Sequence, residues 1–151
     1  MLIENWMTRR VASVKPLDSL QHARELLEQH HINQLPVIAG AELLGILTDR
    51  DVRDAFPSVF DFAATGEPHR GKMATDPAKI AVESVMSPNV CTIGSHETIF
   101  AAARLMGERR IGAVPVLAAG KLVGILTRSD LLRALVALGE PGQAGAGKGA
   151  Q

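Results

Sequence analysis

The sequence predicts an α+β fold made of two β-α-β-β-α units related by a pseudo-twofold axis, and three observations predict it. The heptapeptide Gly45-Ile46-Leu47-Thr48-Asp49-Arg50-Asp51 returns as Gly124-Ile125-Leu126-Thr127-Arg128-Ser129-Asp130. Residues 3–53 align with 82–132 without a gap and share fifteen identities in 51 positions, where ordinary composition gives about three or four. Both copies run through the same order of strand and helix periodicities. The expected layout is a first unit at 3–53, a connector at 54–81, a second unit at 82–136 and a flexible tail at 137–151.

Each element has a local reason. Val11 to Val14 and Val90 to Ile93 are short β-rich runs. Leu20, Ala23, Leu26 and Leu27, then Ile99, Ala102, Leu105 and Met106, mark one face of an amphipathic helix in each copy. Asp18 is the expected N-cap of the first helix, with Gln21 at its third position. Leu35-Pro36-Val37-Ile38 and Val114-Pro115-Val116-Leu117 read as strands whose proline sits near an entrance or edge. Gly-containing turns at 39–42 and 118–121 lead into Leu43–Leu47 and Leu122–Leu126, giving a hairpin in each copy. A last helix follows Thr48 and Thr127, and in the second copy Leu131, Leu132, Leu135, Val136 and Leu138 are expected to be its apolar face.

The connector is broken by Pro57, Gly66, Pro68, Gly71 and Pro77, and only Phe56-Pro57-Ser58-Val59-Phe60 offers an anchor. The Gly/Ala-rich tail contains Gly142, Gly147 and Lys148. It is not a phosphate-binding loop, because Gly149 replaces the metal-binding hydroxyl and no strand precedes it.

Composition removes several functional classes. Sixteen basic and sixteen acidic residues cancel, with one Trp, four Phe and no Tyr. That balance gives neither a field for nucleic acid or anionic membrane nor a base-stacking platform. Cys91 is the only cysteine, and a small buried residue is its simplest role. The opening lacks a secretory signal and no apolar run approaches a membrane span, so a soluble cytoplasmic protein is expected. No metalloprotease, nucleophile-elbow or metal-ligand spacing is found among His22, His30, His31, His69 and His96, so no catalytic residue, metal or catalytic cofactor is expected.

Chemistry concentrates at the two Thr-x-x-Asp junctions. Thr48 with Asp51 and Thr127 with Asp130 each match a capping box, a hydroxyl at the N-cap and a carboxylate three residues on. The same groups suit a ligand: a hydroxyl beside free N–H groups meets a phosphate, and a carboxylate accepts from a ribose diol. Spacing alone does not separate a cap from a site.

The duplicated G-h-h-T-x-x-D, preceded by h-P-V-h and a Gly-containing turn, resembles the CBS domain pair, or Bateman module. The openings Trp6-Met7-Thr8 and Val85-Met86-Ser87, with Phe56-Pro57-Ser58, are similar to stand-alone bacterial CBS proteins of the acetoin-utilisation type. The resemblance implies an adenosine nucleotide (AMP, ADP, ATP or S-adenosylmethionine) in the cleft between the repeats, with a regulatory rather than enzymatic role. It assigns ribose and phosphate to Thr48, Asp51, Thr127 and Asp130. It also implies an adenine pocket of backbone and aliphatic groups, for which Ile32, Leu35, Pro36, Ile111, Val114 and Pro115 are the candidates, and a homodimer with helices at the interface. The regulated partner protein stays unknown, and a structural or dimerisation module with empty clefts is the alternative.

Phosphate needs cations. His30, His31, Arg109 and Arg110 occupy matching positions at the ends of the first helices; positive charge is favoured at a helix C-terminus in any case. The arginines are the better candidates, being always charged and fork-shaped, whereas a histidine contribution would make affinity rise as pH falls. Between Thr and Asp, Arg128 stands where the first copy has Asp49. The two sites are therefore expected to be unequal, the Arg128 site being tighter for a phosphorylated ligand.

Overall fold

The computed structural model describes residues 1–56 and 77–140. The expectations for Pro57 to Phe60, for the rest of the connector up to residue 76, for His69 and for the tail from residue 141 lie outside the described residues. The chain forms two compact units, Ala12–Asn89 and Met1–Val11 with Val90–Gln151. Each unit thus contains most of one sequence repeat and the opening segment of the other.

In the unit Ala12–Asn89, α1 (Leu20–His30), β1 (Gln34–Ala39), β2 (Glu42–Thr48) and α2 (Asp49–Ala55) follow one another. The expected first strand is reduced to one parallel bridge, Val14 to Val37. The other unit repeats the order with β3 (Ile93–Gly94), α3 (Ile99–Arg109), β4 (Ala113–Ala118), β5 (Lys121–Thr127) and α4 (Arg128–Gly139). Here β3 is a two-residue strand parallel to β4.

The helix starts correct one expectation. Ser19, not Asp18, caps α1, its hydroxyl accepting from the His22 N–H at 3.1 Å. Asp18 is diverted: its carboxylate accepts from the Lys15 N–H at 2.8 Å and its carbonyl from the Val82 N–H at 2.8 Å. Thr98 caps α3 in the same way as Ser19. Both helices end on a left-handed residue, His31 (φ 51°) and Arg110 (φ 54°). The next N–H groups, of Ile32 and Ile111, reach back to the Leu27 and Met106 carbonyls at 3.1 Å. This is a Schellman ending on a residue other than glycine.

The hairpins β1–β2 and β4–β5 share one register, with an irregularity after Val37 and after Val116. Their two-residue turns differ. Gly40 alone has positive φ in the first, whereas Ala119 and Gly120 both have it in the second, matching the II′ and I′ turn signatures. Pro36 lies opposite Ile46 and Pro115 opposite Ile125. Ile46 exchanges both backbone bonds with Ser87, at 2.9 and 3.0 Å, and Ile125 exchanges both with Thr8 at 2.9 Å. Each proline therefore faces a residue that asks nothing of its missing N–H.

Each unit has its own core. Val14, Leu20, Leu27, Leu35, Val37, Leu47, Val52 and Val82 form one; Ile3, Met7, Ile99, Met106, Val114, Val116 and Leu126 anchor the other. Truncating a buried leucine such as Leu35 or Leu47 to alanine costs roughly 2–5 kcal/mol. The expected apolar face of α4 is a second correction. Ala134 is buried and Leu131 packs beside the core, but Leu132, Leu135, Val136 and Leu138 stay more than half exposed. Phe100 on α3 is also exposed. Cys91 is half-buried.

Candidate functional site

Both Thr-x-x-Asp junctions fold as complete capping boxes. At α2 the Thr48 hydroxyl accepts from the Asp51 N–H at 3.1 Å, and the Asp51 carboxylate accepts from the Thr48 N–H at 2.9 Å. At α4 the Asp130 carboxylate accepts from the Thr127 N–H at 2.7 Å and the Thr127 hydroxyl at 2.9 Å. The Asp130 N–H reaches the Thr127 hydroxyl oxygen at 3.4 Å. The cap role of all four residues is thus real, and each junction keeps a hydroxyl and a carboxylate grouped at one helix start.

The hairpin fixes what lies beside each junction. Gln34 pairs with Thr48 and Ala113 with Thr127, so the start of β1 or β4 adjoins the helix start. The Asn33 carbonyl accepts from the Asp49 N–H at 2.8 Å, and the Gly112 carbonyl from the Arg128 N–H at 3.1 Å. Those bonds tie the residue after Ile32 or Ile111 to the first turn of the following helix. Ile32 and Ile111 are half-buried, whereas Leu35, Pro36, Val114 and Pro115 are buried. Leu35 and Val114 spend their whole surface on core packing. Of the six adenine-pocket candidates, only the two isoleucines keep appreciable exposed surface.

The cations fall into two groups. The Arg128 guanidinium lies over Gly112, with Nε 3.8 Å from where a Cβ on that glycine would stand. Arg128 is exposed and has no ion-pair partner among the described residues. Its counterpart Asp49 pairs with Arg53 at 3.3 Å, a surface pair worth about 0–1 kcal/mol that only partly offsets its charge. His30, His31, Arg109 and Arg110 are exposed at the helix ends. His31 and Arg110 each stand two residues before the carbonyl that receives the next helix.

Two features escape sequence reading. Arg133 pairs with the Oδ1 atom of Asp130; its only sequence signal is the i, i+3 spacing from an acid on a helix. An open recess of about 820 Å³ in the unit Ala12–Asn89 is lined by Lys15, Leu17, Asp18, His22, Gly40 and Glu83, and holds none of the expected site residues. Among the described residues no cluster of three or more His, Cys, Asp or Glu side chains suits a metal. No helix among them is long and apolar enough to cross a membrane.

Comparison with known proteins adds to this geometry. The family model described as CBS domain matches residues 3–58 and 82–137. A CBS domain-containing protein of Dictyostelium discoideum is 34% identical over 143 residues, covering 93% of this chain and 95% of its own length. The inosine-5′-monophosphate dehydrogenase of Korarchaeum cryptofilum is 33% identical over 129 residues, or 85% of this chain, which spans only 23% of that enzyme. Among solved structures, CBSX2 in complex with AMP is similar at 29% identity and a TM-score of 0.74, over 92% of this chain and 98% of that one. The CBS domain pair of protein MJ0100, in complex with 5′-methylthioadenosine and S-adenosyl-L-methionine, is similar at 25% identity and a TM-score of 0.69, over 90% and 96% of the two chains.

Proposed function

The chain belongs to the CBS domain family, and from that premise we propose that it is a regulatory, non-enzymatic module that senses an adenosine nucleotide at its Thr-x-x-Asp junctions. The observation that carries this reading is the pair of intact capping boxes, each with a hydroxyl and a carboxylate together at a helix start. Asp51 and Asp130 are placed on the ribose diol, and Thr48 and Thr127 near ribose or phosphate. Arg128 serves as the main phosphate cation, with Arg109, Arg110, His30 and His31 as further candidates. Ile32 and Ile111 flank the adenine. Similar proteins support the ligand class, since CBSX2 was solved with AMP and the MJ0100 pair with two adenosine sulfur compounds.

Regulation follows from linkage. A ligand shifts a conformational equilibrium only by its difference in affinity for the two states, and a partner protein reads that shift. The chain is further read as a homodimer. The apolar helix faces in 20–31 and 99–110, the first candidates for that contact, are spent in the cores, and Leu132, Leu135, Val136 and Leu138 on α4 are exposed among the described residues. That surface also favours the second reading, a dimerisation module whose junctions hold no ligand.

Thermal unfolding with and without millimolar AMP, ATP and S-adenosylmethionine separates the two. At 100 times its dissociation constant a ligand adds about 2.7 kcal/mol, a rise of roughly 5 °C or more for a chain of this size. No shift with any of the three favours the scaffold.

A further inference from the structure

The two junctions differ in how much of each carboxylate is already used. An ionised carboxylate offers about four acceptor positions. Asp130 accepts from the Thr127 N–H at 2.7 Å and the Thr127 hydroxyl at 2.9 Å on Oδ2, and from Arg133 on Oδ1. Its exposure is 2%. Asp51 is half-buried and, among the described residues, accepts only from the Thr48 N–H, at 2.9 Å on Oδ2. A vicinal diol that donates two hydrogen bonds needs two open positions. Asp51 has them and Asp130 does not, unless Arg133 lets go.

The position explains the difference. Arg133 stands one turn beyond Asp130 on α4, where an i, i+3 side chain reaches back to the carboxylate. The matching residue of α2 is Asp54, which carries the opposite charge and cannot pair with Asp51. Arg133 is 55% exposed along its side chain whereas Asp130 is 3% exposed, so the guanidinium can move into water, but only at the cost of a charge-assisted bond to a buried carboxylate.

We infer that Arg133 is a specificity-determining residue that occupies the diol-accepting oxygen of Asp130, so that the second junction selects its ligand by phosphate through Arg128 and the first by the ribose diol through Asp51. This rests on the nucleotide reading above and deepens it. A ligand that engages Asp130 through its diol first displaces Arg133, which loses the ion pair and frees a guanidinium beside the bound molecule. Deoxynucleotides and ribonucleotides are therefore discriminated at the first junction and much less at the second.

The test is titration calorimetry of AMP and of 2′,3′-dideoxy-AMP into the full chain, into Arg133→Ala and into Asp54→Arg, each checked first for a cooperative melt. Removing Arg133 tightens AMP at one class of site about tenfold, the worth of one relinquished charge-assisted bond, and leaves dideoxy-AMP unchanged. Asp54→Arg installs the competitor at Asp51 and weakens AMP there by a similar factor, again without effect on dideoxy-AMP. Arg133→Gln, which keeps a long stem and drops the charge, carries the same expectation as the alanine variant if the latter fails to fold. Indifference of AMP binding to either position, or equal shifts for AMP and dideoxy-AMP, overturns the role of Arg133 while leaving the nucleotide reading intact. Absence of AMP binding to the unmodified chain and to every variant overturns both.

Discussion

The Met86 sulfur lies 2.6 Å from where a Cβ on Gly45 would stand, and the Ser87 carbonyl oxygen lies 2.9 Å from the same point. Met7 and Thr8 stand in the same relation to Gly124, at 2.6 and 2.9 Å. The glycine that opens each heptapeptide is thus required by close approach, and the segment it receives is the opening of the other repeat. Gly45→Ala is expected to destabilise by about 1–3 kcal/mol, the usual cost of overpacking, as read by urea unfolding. Met86→Ala in the same chain recovers only part of the loss, because the backbone carbonyl remains. Full recovery would mean that the side chain alone sets the constraint.

The left-handed residues His31 and Arg110 give a prediction in which stability and binding move apart. A non-glycine residue there costs about 1 kcal/mol. Arg110→Gly is expected to gain about that much in thermal stability and to weaken AMP binding, because a phosphate cation is lost. Higher stability with undiminished AMP affinity would remove Arg110 from the site.

Arg128 and Asp49 occupy one position in the two repeats and are expected to act in opposite directions. Arg128→Ala weakens AMP binding by about three- to tenfold, in the range of one charge-assisted contact. Asp49→Ala strengthens it by a smaller factor, because Arg53 already offsets part of the charge. Calorimetric titration at two salt concentrations reads both, and equal or absent shifts would contradict the unequal-site reading.

The exposed leucines of α4 predict an interface. Leu135→Asp is expected to leave the unit folded, since Leu135 is 63% exposed, and to shift the chain from dimer to monomer in light scattering after size exclusion. A monomer before substitution, or a dimer after it, would contradict the assignment.

Much of this molecule was legible before any coordinate. The repeat gave both hairpins, the four long or short helices and both capping boxes, because each depends on local spacing: Thr48 to Asp51 is three residues, and Leu20 to Leu27 is two turns. What escaped lies in contacts between distant segments. Ser19 replaced Asp18 as a cap because Asp18 serves the turn at Lys15 and the Val82 N–H, far along the chain. Met7 and Met86 aligned as an identity, yet no periodicity tells that each packs on the other copy's glycine. The apolar pattern of α4 announced a buried face, whereas the unit has room only for Ala134 and part of Leu131. At the junctions, sequence named the Thr and Asp but not the saturation of Asp130, which depends on where Arg133 points.

The central claim is that the Thr-x-x-Asp junctions hold an adenosine nucleotide. Titration calorimetry of AMP into the unmodified chain and into Asp51→Asn/Asp130→Asn tests it most directly. The account predicts saturable binding to the unmodified chain and at least a tenfold loss in the double variant, with the cooperative melt retained. No binding to the unmodified chain, or undiminished binding to the double variant, would contradict it.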